Sequence, residues 1–235
     1  MRNIIISDIH GCYNTFMNLL NLVQYTTGQD HLILLGDYID RGPRSKEVID
    51  WIINEKETGH VTALRGNHEE MFLSWLHEPI QPNSIYLHPD NGGKKTIKSY
   101  LKPRGIYSYK EYAQEAMKSY YPQHIRFFEE LPFYYEDKHA IYVHAGVDLN
   151  LRDWKNSSDS WFTSSRERFW KSSNPHDKTI IFGHTPVCFL HDSDAPYTFE
   201  DNRIAIDGGC SYKRQLNALI VDKAGYTALS VPYGE

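Results

Sequence analysis

The feature that most constrains the fold of this chain is a set of six short apolar runs. Each run is followed closely by a polar residue and a glycine. Runs of three or four apolar residues are typical of strands that are buried on both faces. In open α/β sheets, ligands bind beyond the carboxyl ends of the strands, so these polar residues predict a functional site. The runs are residues 4–6, 32–35, 61–64, 140–143, 180–182 and 204–206.

Helical spacing of apolar residues separates the early runs. The recurring positions are Phe16, Leu19, Leu20 and Val23, then Val48, Trp51 and Ile52, with Pro43 shortly before the second set. Proline is favoured at the start of a helix. The first 70 residues therefore predict strand, helix, strand, helix, strand, which is a parallel βαβ core.

The remaining segments complete an α/β prediction. Residues 79–136 are rich in Tyr, Lys and Pro, and we predict a mostly helical insertion there. Residues 149–178 are polar and predict a long surface loop with one helix near Arg166. Residues 218–221 and 226–231 predict two closing strands around a turn at 223–225. A length of 235 residues fits one domain, 1–235.

Composition excludes several classes of protein. The formal net charge is −5, which argues against a general nucleic-acid binder because such proteins usually carry a basic field. No apolar stretch reaches 18 residues, so we expect no membrane-spanning helix. An odd count of three cysteines argues against a disulfide framework, and we expect a cytoplasmic protein. The oligomeric state is left open.

The polar residues after the runs form a plausible set of metal ligands. Carboxylate and imidazole together suit Mn, Fe or Zn. Six ligands are too many for one zinc ion but sufficient for two divalent ions, if Asp37 bridges them. Two such ions would clamp a phosphate and activate water. We expect Mn²⁺, with Fe or Zn as alternatives. The six candidates are Asp8, His10, Asp37, Asn67, His144 and His184.

Other residues near these ligands suit phosphate chemistry. Arg41 follows Asp40 directly, and the arginine fork matches phosphate oxygens. Arg166 is the candidate for the opposite side of the site, with Arg168 as an alternative. His68 could protonate a leaving oxygen, with Asp40 orienting it and raising its pKa. Each motif alone could be an ordinary turn or surface ion pair, but their combination at successive strand ends favours a site.

Five motifs together resemble the phosphoprotein phosphatase family of binuclear metallophosphoesterases, in particular its compact bacterial and phage branch, which includes lambda-type phosphatases. The matching segments are residues 7–11, 36–42, 66–69, 144–146 and 183–185, and Asn91-Gly92-Gly93 and residues 206–210 also resemble that branch. The resemblance implies a calcineurin-like sandwich of two mixed β-sheets flanked by helices. Ser7 departs from the glycine of the family motif.

The resemblance also implies roles for individual residues. One ion would be held by Asp8, His10 and Asp37. The second ion would be held by Asp37, Asn67, His144 and His184. Arg41, Arg166, Asn67 and His68 would contact the phosphate. His68 and Asp40 would form the acid pair.

Three functions are compatible with this resemblance. We expect a phosphomonoesterase that acts as a serine/threonine protein phosphatase, in which metal-activated water attacks the phosphate in line. The alternative is a dinucleoside polyphosphate hydrolase such as a diadenosine tetraphosphatase, although those enzymes often lack the acid that Asp40 provides here. An inactive, metal-stabilised binding module is disfavoured because no expected ligand is missing. Pro186, where phosphodiesterases carry a second histidine, argues against that branch. The expected partner is thus a phosphoprotein or a small phosphoester.

Overall fold

All six apolar runs form strands. The computed structural model describes residues 2–79, 84–223 and 225–235. The strands in these ranges are β1 (Asn3–Ile6), β2 (His31–Leu34), β3 (Val61–Ala63), β4 (Tyr134–Glu136), β5 (Ala140–Val143), β6 (Thr179–Phe182), β7 (Tyr197–Thr198), β8 (Arg203–Ala205), β9 (Gln215–Asp222) and β10 (Gly225–Pro232).

The first two helices lie where the apolar spacing predicts them. The α-helices of the described ranges are α1 (Tyr13–Leu22), α2 (Ser45–Lys56), α3 (Asn67–His77), α4 (Gly93–Leu101), α5 (Glu111–Tyr120), α6 (Pro122–Glu129), α7 (Asp159–Ser164) and α8 (Glu167–Trp170). Among the described residues, no helix combines the length and the apolar character needed to cross a membrane.

Two mixed five-stranded sheets make up the α/β fold. The first has the order β10-β9-β1-β2-β3, in which β1, β2 and β3 are parallel and β9 runs antiparallel to β1. The second has the order β4-β5-β6-β8-β7, in which β5, β6 and β8 are parallel. The closing strands β9 and β10 pair as a hairpin. The predicted fold class, including the parallel βαβ core, is confirmed.

The runs are apolar throughout because both faces of the strands are covered. Ile4 and Ile6 pack in a core beside α1 and α2, whereas Ile5 packs with Tyr142 and Ile181 of the second sheet. All three isoleucines of β1 are fully buried. Alternate side chains of one strand thus face the helices and the opposing sheet. The parallel strands direct their carboxyl ends to one region, where the predicted ligands follow them.

Two segments differ in detail from expectation. Residues 149–178 are not a surface loop with one helix, since they contain α7 and α8 and bury Trp154, Phe162 and Phe169 against the second sheet. These aromatic residues stabilise the segment despite its many Ser and Asn. Residues 79–136 are mostly helical, with α4–α6, and end in β4. Residues 80–83 of that segment and Ala224 of the predicted turn lie outside the described residues.

Candidate metal and phosphate site

The carboxylate of Asp37, directly after β2, lies at the centre of the polar cluster. Its Oδ2 is 3.5 Å from His10 Nε2 and 3.9 Å from His68 Nε2. Its Oδ1 is 3.5 Å from His144 Nε2. All four side chains are at least 97% buried. Asp37 therefore faces imidazoles that come from both sheets.

Two sets of donor atoms share this carboxylate. One set consists of His10, Asp37 and His68, and the other of Asp37, His144 and His184. Within each set, the potential ligand atoms lie within 4.8 Å of one another, and all five residues are buried. Asp37 is the member common to both sets, which is the placement expected of a bridging ligand.

Hydrogen bonds fix which ring nitrogens face the cluster. His144 Nδ1 donates to the carbonyl of Leu35 at 2.9 Å, so its Nε2 carries a lone pair. The Nε2 atom lies 3.3 Å from Asn67 Oδ1 and 3.2 Å from His184 Nδ1. With Asp37 Oδ1 also nearby, electron-rich atoms converge on one point. Such an arrangement repels unless a positive charge lies among the atoms, so these residues fit a cation.

The other two imidazoles are also suited to bind a cation. His10 Nδ1 donates to the carbonyl of Ile39 at 2.8 Å, which leaves Nε2 directed at Asp37. Burial and the charge of Arg41 lower the pKa of His10. Burial and nearby His144 lower the pKa of His184. Its Nε2 is buried and has no hydrogen-bond partner within the part of the chain that the structure describes. Both rings are therefore neutral at pH 7, which is the form that binds metals.

The two buried carboxylates differ in their surroundings. Burial alone would raise the pKa of Asp37, but the surrounding imidazoles, His144 foremost, outweigh it and lower the pKa. Burial raises the pKa of Asp8, and the charge of Asp37 adds to this. Asp8 Oδ2 accepts hydrogen bonds from the Ser7 hydroxyl and, at 3.0 Å, from the backbone N–H of His184. Asp8 thus links the ends of β1 and β6, although it belongs to neither donor set.

Backbone strain is concentrated at the site. Positive φ is uncommon for residues other than glycine. Nine such residues occur in the described ranges, and six of them are predicted site residues. Strain of this kind persists where the surrounding structure enforces it, as it commonly does at functional sites. The six are Asp8, His10, Asp37, Asp40, Arg41 and His184.

Glycines beside the ligands leave room for close contact. A Cβ atom on Gly183 would collide with the Ser7 hydroxyl and the Asp8 carboxylate. A Cβ atom on Gly66 would collide with Asp37. Gly66 and Gly183 are therefore required because neighbouring polar side chains of the site occupy the space that a Cβ atom would take.

His68 and Asp40 form a buried pair next to the ligands. His68 Nδ1 donates to Asp40 Oδ2 at 2.7 Å. Asp40 Oδ1 accepts from the hydroxyls of Tyr86 at 3.0 Å and Thr96 at 2.7 Å. Burial lowers the pKa of His68, but the charge of Asp37 and the bond to Asp40 outweigh it and raise the pKa. The ring is thereby poised to carry a proton.

Arg41 contacts the cluster through His10. Its Nη1 donates to His10 Nε2 at 3.0 Å and lies 3.5 Å from the Ser211 hydroxyl. The guanidinium carbon lies 5.2 Å from the centre of the Tyr212 ring. Its Nε is buried and has no hydrogen-bond partner among the described residues. An anion at this position would therefore find an unused donor.

The two candidate arginines of the later segment point to different places. Arg166 Nη1 lies 3.4 Å from the hydroxyl of Thr185, the neighbour of His184. Arg168 lies over the Trp161 ring, with 4.0 Å from the guanidinium carbon to the ring centre, and its Nη2 donates to the carbonyl of Ser160. Both side chains belong to exposed residues. Arg166 is the one beside the donor atoms.

Sequence reasoning assigned no role to several residues that shape the site. Glu69 accepts hydrogen bonds from the backbone N–H groups of Asp37, Tyr38 and Gly66, at 2.8–2.9 Å. Burial and the charge of Asp37 raise its pKa to about 7. Its place in the Gly-Asn-His-Glu motif was a signal that could have identified it. Tyr86 lies in the insertion, where no motif marks it.

The comparisons with known proteins agree with this geometry. The model of the calcineurin-like phosphoesterase family matches residues 1–217. The chain is 26% identical to the bis(5'-nucleosyl)-tetraphosphatase PrpE, asymmetrical, of Bacillus subtilis, over 98% of this chain and 96% of the relative. It is 25% identical to the symmetrical bis(5'-nucleosyl)-tetraphosphatase of Neisseria gonorrhoeae, over 100% of this chain and 97% of the relative.

Solved structures show the same fold at lower identity. A crystal structure provisionally described as a diadenosine tetraphosphatase superposes with a TM-score of 0.68 at 20% identity, covering 100% of this chain and 94% of that chain. A cold-active protein-tyrosine phosphatase of a psychrophilic Shewanella superposes with a TM-score of 0.62 at 15% identity, covering 99% and 80%. At these identities the superpositions establish the fold alone.

Proposed function

The chain belongs to the calcineurin-like phosphoesterase family, and from this premise we propose that it is a metal-dependent hydrolase of dinucleoside tetraphosphates. The observation that carries the proposal is the end-to-end similarity to proteins named bis(5'-nucleosyl)-tetraphosphatase, which extends over at least 96% of two relatives. This favours the alternative of the sequence analysis over the protein phosphatase. The relatives include both symmetrical and asymmetrical enzymes, so the cleaved bond is left to experiment.

We propose that two divalent ions would be held here, one by Asp8, His10 and Asp37 and the other by Asp37, Asn67, His144 and His184. When bound, such ions lower the pKa of water and neutralise phosphate oxygens. Manganese is our candidate because the ligand set mixes carboxylates with imidazoles. The protein holds these side chains through fixed ring tautomers and through the glycines that make room for them.

The residues around the ligands have separate tasks in this proposal. Arg41 and Arg166 bind the phosphate from two sides, together with Asn67. His68 protonates the leaving oxygen, and Asp40 holds its ring so that Nε2 faces the reaction centre. Tyr86 and Thr96 hold Asp40 in turn. We also propose that residues 1–235 act as one domain, in which the insertion at 79–136 sets specificity.

A phosphoserine or phosphothreonine phosphatase is the second candidate because of the buried His68–Asp40 pair. A serine or threonine alkoxide is a poor leaving group that needs a proton. The nucleotide released from a tetraphosphate leaves as a much weaker base. An intact acid pair is therefore of most use on alkyl phosphate esters.

One experiment separates the two candidates. The Mn²⁺-loaded protein is given diadenosine tetraphosphate, a phosphothreonine peptide and p-nitrophenyl phosphate in parallel. We expect the highest kcat/KM for the tetraphosphate, and chromatography of the products shows whether two diphosphates or a mono- and a triphosphate are released. A higher kcat/KM for the peptide would overturn the proposal in favour of the phosphatase.

A further inference from the structure

A basic segment lies beside Arg41 in a chain whose net charge is negative. Between positions 91 and 110, the sequence contains six Lys or Arg residues and no Asp or Glu. The whole chain carries a formal charge of −5, so this density is local. The basic residues are Lys94, Lys95, Lys98, Lys102, Arg104 and Lys110.

Three of these lysines form one face of a helix. Lys95 and Lys98 lie on α4, and Lys102 follows its last residue. Spacings of three and four residues place side chains on the same side of a helix. All three residues are exposed, and within the described ranges none of them forms an ion pair. We call Lys95, Lys98 and Lys102 the lysine face.

The lysine face lines a cleft of about 420 Å³. Pro43 and Glu47 also line this cleft. The carboxylate of Glu47 is already engaged, since Arg44 Nε lies 3.0 Å from its Oε1. Among the described residues, the cleft thus presents three ammonium groups that form no ion pair and one carboxylate that is paired with an arginine. A ligand that fits it would be an extended anion.

One residue that lines the cleft, Lys95, contacts Arg41. The ammonium group of Lys95 donates to the carbonyl oxygen of Arg41. Gly92, just before α4, packs so closely that a Cβ atom would collide with the backbone of Arg41. A helix rises about 1.5 Å per residue, so Lys102 lies roughly 10 Å along the axis from Lys95. The lysine face therefore leads away from the arginine that we place on the reacting phosphate.

We infer that the lysine face is a binding subsite for the part of a polyphosphate chain that lies beyond the reacting phosphate. The inference rests on the proposed function for the identity of the substrate, and it adds residues that no strand-end motif contains. In this inference, the further phosphates of a linear tetraphosphate are the groups that bind the lysines, and a monophosphate ester has no such groups. The subsite thus discriminates by chain length and charge.

Inhibition by inorganic phosphates tests the subsite without requiring nucleotide cleavage. The Mn²⁺-loaded enzyme hydrolyses p-nitrophenyl phosphate at fixed free Mn²⁺, in the presence of linear inorganic tetraphosphate or of orthophosphate. The variants are Lys98→Glu/Lys102→Glu and, as a control for reversed surface charge, Lys138→Glu, in the turn between β4 and β5. Calorimetric titration with tetraphosphate provides the same comparison without turnover.

In the double variant, we expect tetraphosphate to bind about tenfold more weakly, and orthophosphate to inhibit within about twofold of wild type. The control should behave as wild type. Unchanged tetraphosphate binding would overturn the inference. An equal weakening of the inhibition by orthophosphate would also overturn the inference, because the lysines would then attract any anion regardless of its length. If diadenosine tetraphosphate is not cleaved but the tetraphosphate effect persists, the proposed function fails and the subsite stands.

Discussion

His68 Nδ1 lies 2.7 Å from Asp40 Oδ2, and the two side chains are 1% and 0% exposed. A carboxylate only accepts hydrogen bonds, so the contact assigns the Nδ1 proton to the ring and directs Nε2 toward Asp37, at 3.9 Å. His68 also belongs to one of the two donor sets around Asp37. Its position is thus compatible with a proton donor and with a ligand, and substitution distinguishes these roles.

His68→Asn should lower kcat by about 10²–10⁴, with both metal ions retained, if His68 acts as an acid. The loss should be larger for a phosphothreonine peptide than for p-nitrophenyl phosphate, because nitrophenolate leaves without a proton. Turnover of both substrates and metal content by mass spectrometry check this. Loss of a metal ion would instead identify His68 as a ligand. Asp40→Asn, which removes the orienting carboxylate, is the matched variant and should show the same substrate dependence.

Asp37→Asn should weaken both metal sites together because this carboxylate is common to the two donor sets. The amide carries no charge, and its nitrogen cannot serve as a ligand, so activity should fall by orders of magnitude. Metal stoichiometry after gel filtration, measured against His184→Asn, is the test. His184 belongs to one set only, so that variant should retain about one ion. Near-normal turnover of Asp37→Asn would contradict the bridging role.

The sequence predicted which strand ends carry the candidate residues better than it predicted the segments around them. Each predicted ligand follows a strand whose apolar run is unmistakable, and parallel strands bring such residues together whatever lies between them. Asp8 and His184 are 176 positions apart, yet the backbone N–H of His184 donates to the Asp8 carboxylate. Convergence of this kind follows from topology alone.

The parts that sequence reasoning missed depend on packing between distant segments. Tyr86 reaches Asp40 from the insertion, and nothing in its local sequence indicates a buried hydroxyl. Trp154 and Phe162 turn a Ser-rich segment into part of the core, because they cover the outer face of the second sheet. The composition of a segment does not reveal such contacts, because the residue or sheet that is contacted belongs to another part of the chain.

Arg166→Ala should raise KM for every phosphate ester by about tenfold, whereas Arg168→Ala should leave it near wild type. Arg166 lies beside Thr185, but Arg168 is stacked on Trp161 away from the donor atoms. The two residues are both exposed and two positions apart, so each controls for unspecific loss of charge. Steady-state kinetics of both variants on p-nitrophenyl phosphate decide the assignment. A larger increase in KM for Arg168→Ala than for Arg166→Ala would assign the phosphate contact to Arg168 instead.

Gly183→Ala should disrupt the site although it adds a single methyl group. The new Cβ atom would occupy the space of the Ser7 hydroxyl and the Asp8 carboxylate, and neither can withdraw without breaking its bond to the other or to the His184 N–H. Overpacking of this kind typically costs about 1–3 kcal/mol of folding free energy.

Urea unfolding and turnover of p-nitrophenyl phosphate measure the two consequences of this substitution. Gly234→Ala is the matched control, because the nearest heavy atom to its Cβ position is 3.9 Å away. It should leave both stability and kcat unchanged. If Gly183→Ala behaved like this control, Ser7 and Asp8 would have room to move, and the close packing of β1 against β6 would not be what holds Asp8 in place.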